Sequence, residues 1–311
     1  MTGVLLVDKP AGMTSTDVVR RARKVFNTGR VGHAGTLDPD ATGLLIVCVG
    51  EATKAVPFLV ADQKTYTATG RLGLETWTDD AAGDPFREAP WDHVTDAQID
   101  GALEQIAMRG EQVPPRISAI KRNGERMYER ARRGEDVELE LEPRPVDLHR
   151  LTRVPAELPD VAVEMVVGKG FYVRSLFRDL GRIIDSAAHV LWLRRTTIGP
   201  FLVDQAVAFD DIGPESLLSI EDALAHLPAA ILDDAATTKL GFGQRPVVGE
   251  GVELDYAGDG PIRAMSPDGK LVAMVELTEG TLKVIRGFTS DRPAAETQQL
   301  HESPTDGAVG R

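Results

Sequence analysis

The sequence predicts an α+β protein: a large core on a mixed, largely antiparallel sheet, followed by a smaller β-rich region. Strand-like runs predict the sheet, because residues 3–10, 44–49, 64–73, 137–153 and 160–167 are apolar or alternate at strand length. Helical patterns are few, at residues 14–26, from about 95, and at 175–184. After Leu227-Pro228, short strands at 263–266, 271–275 and 282–286 follow one another.

Composition bounds the function. A chain of 311 residues has room for two domains, or for one large and one small. Its 42% hydrophobic and 27% charged residues fit an ordinary soluble globular protein. No apolar run reaches membrane-spanning length and no signal-like segment opens the chain, so the cytoplasm is expected and a membrane is not. The single cysteine, Cys48, sits in an apolar run and reads as a buried structural thiol. One cysteine and six scattered histidines offer no metal-ligand spacing, so a zinc site is not expected. The formal net charge of −13 opposes a nucleic-acid partner at face value, but the acids are concentrated. Residues 75–107 hold nine acids against Arg87, whereas residues 109–133 hold eight bases against three acids. The basic patch alone is equally well a solvated face.

Taken in order, residues 3–10 read as a strand entering a turn at Lys9-Pro10. Thr14-Ser15-Thr16-Asp17 supplies an N-cap for a helix through Phe26, whose Arg20, Arg21, Arg23 and Lys24 suit either phosphate or water. Residues 32–43 contain three glycines, a proline and two threonines, which excludes a regular helix or central strand. The buried run 44–49 follows at once, so a tightly turned loop sits against the core and carries His33, Asp38 and Asp40. Pro39 biases Asp38 towards an extended backbone. Its carboxylate is either aimed outward for chemistry or folded into an Asx turn.

A short helix begins at Glu51, and residues 64–73 form a strand whose Tyr66 serves packing or a pocket. Residues 76–110 read as an acidic loop and then a helix with Ile99, Leu103 and Ile106 inward. Residues 109–134 form a basic insert in which Tyr128 lies among arginines, a pairing suited to RNA. In residues 168–176 the glycines allow a sharp turn, and an extended backbone would put Tyr172 and Arg174 on one side. Residues 289–311 are expected to be disordered.

Residues 32–43 match every fixed position of Gly-His-x-Gly-x-Leu-Asp-Pro-x-Ala-x-Gly, and here the chain resembles the TruB family, the bacterial tRNA pseudouridine-55 synthases. Further segments resemble the family: Lys9-Pro10 with Gly12, Lys64-x-Tyr66, Pro114-Pro115 with Ser118-Ala119 and Lys121, Tyr172-x-Arg174, and Leu193-Arg194-Arg195. Together they span most of residues 3–205. Lys169-Gly170-Phe171 departs from the Gly-Thr of many members.

The resemblance implies a pseudouridine-synthase core over residues 1–227 and a β-barrel-like, PUA-type domain over 228–288, the weaker likeness of the two. It implies isomerisation of uridine 55 in the tRNA T-loop to pseudouridine, without a cofactor. Asp38 is the implied nucleophile and Arg174 its salt-bridge partner. Tyr66 is implied to stack on the uracil and serve as a base, and Tyr172 and Leu193 to wall the pocket. His33 would support the stack vacated by the flipped nucleotide. Lys9, Arg20, Lys121, Arg126 and Arg132 are expected to meet RNA. The partner is the tRNA T-stem-loop; a monomer without an obligatory protein partner is expected, of the stand-alone bacterial type. The rival readings are an RNA-binding module and a metal-dependent hydrolase. Pro39 between Asp38 and Asp40 makes a shared metal awkward.

Overall fold

The computed structural model describes residues 1–60, 63–117, 121–122, 125–126, 141–256 and 258–288. The chain divides into two compact units, Met1–His226 and Leu227–Arg311.

In the first unit, strand β1 (Gly3–Lys9) feeds helix α1 (Ser15–Val25). Thr14 begins α1 with a reciprocal capping box: its hydroxyl accepts from the Asp17 amide and the Asp17 carboxylate accepts from the Thr14 amide. Val18, Val19 and Ala22 form the helix's buried stripe, at spacings that return to one face. Strand β2 (Val31–His33) leads to the Gly-rich loop, and β3 (Thr42–Val49) leaves it. Every residue of β3 after Thr42 is buried, as a continuous apolar run in mid-sheet requires.

Helix α2 (Val56–Leu59) precedes β4 (Lys64–Leu72), the hairpin β5 (Leu74–Thr76) and β6 (Pro85–Glu88), and helix α3 (Asp96–Arg109). Ile99, Leu103 and Ile106 face the core from α3. Short strands β7 (Glu111–Gln112), β8 (Lys121–Arg122), β9 (Glu125–Arg126) and β10 (Arg144–Pro145) follow. Then come β11 (Leu148–Val154), β12 (Asp160–Val167), helix α4 (Val173–Ile183) and β13 (Ala188–Ile198). Strands β14 (Phe201–Leu202), β15 (Val207–Ala208) and β16 (Leu217–Leu218), with helix α5 (Ile220–Ala223), end the unit.

A ten-stranded sheet runs β11-β12-β4-β13-β3-β1-β15, with β14, β16 and β2 paired at its sides. Its pairings are antiparallel except β1 with β15 and β13 with β3. The parallel contact sets Arg195 opposite Gly43 and so brings β13 to the end of the Gly-rich loop.

The structure differs from the sequence expectation at four places. The acidic stretch after Thr76 is not simply a loop: β5 and β6 form a hairpin, and Glu75 and Asp79 are fully buried. Tyr172 and Arg174 do not lie on one extended segment, because Tyr172 is the N-cap of α4 and Arg174 stands in its first turn. Lys9 is buried rather than facing RNA. The span expected as one strand at 137–153 is two strands within its described part, β10 and β11. Arg132, Tyr128 and residues 289–311 lie outside the described residues, as does most of the expected insert.

In the second unit, a sheet ordered β18-β17-β19-β20-β21 comprises β17 (Ala229–Leu232), β18 (Val252–Leu254), β19 (Ile262–Met265), β20 (Leu271–Thr278) and β21 (Thr281–Gly287). Helix α6 (Asp234–Gly241) begins where the Asp233 carboxylate accepts from the Ala236 amide. Ala236 and Leu240 pack into a separate core with Leu232, Ile262 and Val275. Among the described residues no helix is long and apolar enough to cross a membrane.

Candidate active site

The loop between β2 and β3 is held by its backbone carbonyls, and its acids are left outward. Arg195 is almost fully buried, and its guanidinium donates to the carbonyls of Leu44 (2.8 Å), Thr36 (3.2 Å) and Gly35 (3.2 Å). The buried Lys9 ammonium donates to the carbonyls of Pro39 (2.9 Å), Pro10 (2.9 Å) and Met13 (2.8 Å). Burial lowers this lysine's pKa to about 8, against the opposing pull of Asp40 and Asp38. The Ser15 hydroxyl accepts from the Leu37 amide at 2.9 Å and lies 3.2 Å from the Leu37 carbonyl. Gly43 closes the loop at φ +102°, where a Cβ would stand 2.2 Å from the Arg195 carbonyl, so only glycine fits. Cations and a hydroxyl therefore fix the main chain on either side of Asp38.

Arg174 meets the Asp38 carboxylate from α4. Its Nε lies 3.0 Å from Oδ2 and its Nη2 donates to Oδ1 at 3.3 Å, so both acid oxygens face the guanidinium. Its Nη1 donates to the carbonyls of Thr78 (2.9 Å) and Ile117 (3.1 Å), which locks the group in place. Asp80 stands 3.9 Å from Nε. The arginine side chain is 9% exposed and that of Asp38 41%, so the cation is sunk while the carboxylate stays open to an incoming group.

That opening is a small cleft lined by Asp38, Asp40, Ala41, Asp80, Arg174 and the β13 segment from Val190 to Leu193. Its chemistry is an apolar recess beside a carboxylate–guanidinium pair. Leu193 faces Ala68 across the ladder, and Arg195 faces Tyr66 two residues on. Two-residue periodicity therefore puts Tyr66, Ala68 and Leu193 on one face of the sheet. Tyr66 is half-buried against the cluster that contains Leu37, Ala41 and Leu193, next to the cleft and not in its lining.

His33 pairs opposite Val47 in β2, half-buried. Burial, then the charge of Arg195, lowers its pKa below the ordinary histidine value. Its Nδ1 is buried without a partner among the described residues. Tyr172 is tied through its main chain: its amide donates to Gln112 Oε1 at 3.0 Å, and Gln112 Nε2 donates to its carbonyl at 3.2 Å. Arg20 is exposed on α1 beside Asp17. Lys121 and Arg126 are backbone partners in the β8–β9 ladder.

Sequence reasoning missed a buried ionic cluster behind Arg174. Asp79 lies 3.2 Å from Arg178 and 3.4 Å from Arg116, and Glu75 lies 3.2 Å from Arg116 and also pairs with Arg182. Burial works against the charge of Glu75, yet Arg182 and Arg116 outweigh it and hold the carboxyl below its usual range. Burial pushes Asp79 up to about 6 despite Arg178 and Arg116. Arg116 also lies under two rings, 4.0 Å from the Phe86 centroid and 5.4 Å from that of Trp77. No local sequence signal marked these groups, because their partners are 37–107 residues apart. Arg195 did have a signal, since it closes the Leu-Arg-Arg segment. Cys48 is buried, and burial pushes its thiol up to about 12, well away from reactive range.

A family model described as TruB family pseudouridylate synthase (N terminal domain) matches residues 23–173. The chain is 41% identical over 299 residues to the tRNA pseudouridine synthase B of Arthrobacter sp. (strain FB24), covering 93% of this chain and 97% of that protein. It is 40% identical over 295 residues to the protein of the same name from Thermobifida fusca (strain YX), covering 92% and 98%. Among solved structures, a chain of a Cbf5-Nop10-Gar1 complex superposes with a TM-score of 0.70 at 25% identity, covering 92% of this chain and 85% of that one. A chain of an H/ACA RNP bound to a substrate RNA containing 2′-deoxyuridine superposes with a TM-score of 0.68 at 23% identity, covering 92% and 85%, a likeness of fold.

Proposed function

The chain belongs to the TruB family of pseudouridylate synthases, and we propose that it isomerises uridine 55 in the T-loop of tRNA to pseudouridine, with Asp38 as the attacking carboxylate. The observation that carries this reading is the Asp38–Arg174 pair, 3.0 Å apart at the mouth of an apolar cleft and presented by a clamped loop. The relatives' names point to tRNA as the substrate.

The target nucleotide must leave the RNA stack before a protein carboxylate reaches it, at a cost of about a few kcal/mol. The cleft offers the everted uracil Leu193, Ala41 and Val190 on its apolar side and Asp38 on its polar side. Tyr66 stacks on the base from β4 and serves as a base at the sugar. His33, neutral at pH 7, takes up the space that the uracil leaves. Tyr172, tied at the N-terminus of α4, completes the pocket with Leu193.

A carboxylate can bond to C1′ of the ribose or to C6 of the uracil. By either route the N1–C1′ bond breaks, the base turns, C5 joins C1′, the bond to the carboxylate is released, the C5 proton passes to solvent and N1 takes a proton up. Atoms and electrons balance without an oxidant or reductant. Arg174 fixes the carboxylate's direction and neutralises its charge while the adduct forms.

Arg20, Lys121, Arg126 and Arg132 meet the RNA backbone in this reading. Lys9 does not, because its three protons are committed to main-chain carbonyls. The second unit corresponds to a PUA-like domain, and the protein acts as a cytoplasmic monomer without protein partners.

The test uses a tRNA transcript carrying tritium at C5 of its uridines. One equivalent of tritium should be released per tRNA, and a transcript with cytidine at position 55 should release none. Equal release from both transcripts would sink the position assigned.

A further inference from the structure

We propose that Trp192 is a stacking platform at the lip of the cleft, holding a base that flanks the uridine delivered to Asp38. This deepens the RNA-modifying reading above and rests on it.

The backbone builds the platform. Trp192 lies opposite Thr69 of β4, and the ladder shifts register between Val190 and Trp192, which leaves Leu191 as an extra residue. Such a bulge re-aims side chains beside a site. Here it leaves Leu191 and Trp192 both outward, 37% and 43% exposed, between the buried Val190 and Leu193. Both line the same cleft as Asp38 and Arg174.

The other exposed indole in this unit is already engaged. Trp77 meets Phe86 edge-on at 4.7 Å, with the Arg116 guanidinium 5.4 Å from its ring. Among the described residues, Trp192 has no ring or cation partner. Charge then narrows the occupant. The lip carries Asp38, Asp40 and Asp80 against Arg174, a lining that repels phosphate. The face of an uncharged base suits this lip, and an indole accepts any base by stacking. Since the apolar recess is taken by the everted uracil, the base on Trp192 belongs to a neighbouring nucleotide.

The experiment compares wild type, Trp192→Ala and Trp192→Phe on a T-stem-loop RNA. Trp192→Ala should lose about 10-fold in kcat/KM, mainly through KM, and Trp192→Phe should recover most of it. An abasic residue immediately 5′ or 3′ of the target should cost wild type a similar factor. At one of those two positions it should cost Trp192→Ala nothing more. In a Trp77→Phe/Trp91→Phe variant, or Trp77→Phe alone if the double variant does not fold, the same RNA should quench the indole fluorescence. Product formed with equal kcat/KM in Trp192→Ala and wild type would overturn the platform and leave the reaction standing. So would additive losses at both abasic positions. No product from wild type would overturn the reaction beneath it as well.

Discussion

Two aspartate–arginine contacts in the first unit share a chemistry and differ in their surroundings. Asp79 is fully buried between Arg116 and Arg178. Asp38 faces Arg174 with 41% of its side chain open. In the first case both partners are sunk, and the pairs join the turn between β5 and β6, the segment around Arg116 and α4 into one body. In the second only the cation is sunk, and the acid projects from a loop whose own backbone is bonded elsewhere. An ion pair becomes a candidate for chemistry when one partner keeps a free approach and its main chain does not depend on that partner. The buried cluster and the clamped loop are what let Asp38 stand exposed without being mobile.

That contrast breaks most sharply at Asp79. Asp79→Asn leaves Arg116 and Arg178 short of countercharge and should cost about 3–5 kcal/mol of stability. Thermal melting should show a drop of roughly 10 °C for a unit of this size. An unchanged melting temperature would mean that the cluster is not structural. The loop clamp comes next. Arg195→Met strands the carbonyls of Gly35, Thr36 and Leu44 and lets Asp38 drift. It should lower kcat about 10²-fold with KM little changed, since misplacing a reacting group by about 1 Å has that effect. Steady-state kinetics on tRNA would check it, and a loss confined to KM would contradict it.

The smallest effect is a pH dependence. Lys9 titrates at about 8 in the fold and near 10.5 in the unfolded chain. Its contribution to stability is therefore full above pH 10.5 and lost as pH falls through 8. Turnover should move the other way. A neutral amine has two protons for three carbonyls, so activity should decline as pH rises through about 8. Lys9→Met should turn over more slowly at pH 7 and lack that descending limb. The same limb in Lys9→Met would assign it to another group.

What the sequence made legible was local. The cap at 14–17, the start of α3 near residue 95, the inward Ile99, Leu103 and Ile106, and the buried run after Thr42 are set by neighbours within a few positions. The Asp38–Arg174 contact spans 136 residues, and only the family resemblance pointed to it. Turn-rich acidic residues hid the β5–β6 hairpin, and charge alone could not show that Glu75 and Asp79 are buried. The start of α4 was missed because Tyr172 makes no side-chain cap, so nothing flagged Arg174 as helical. A lysine is ordinarily exposed, so nothing local marks Lys9 as buried. Its burial depends on the Pro39 carbonyl, brought in from the loop 30 residues later, beside the local carbonyls of Pro10 and Met13.

The central claim is that the Asp38 carboxylate forms the bond on which isomerisation depends. Its most direct measurement is a single-turnover experiment on tritiated tRNA with saturating Asp38→Asn enzyme, alongside the dissociation constant of the same complex. The account predicts tritium release at least about 10⁴-fold slower than wild type, with RNA affinity and melting temperature unchanged. Release at the wild-type rate from that variant would contradict it.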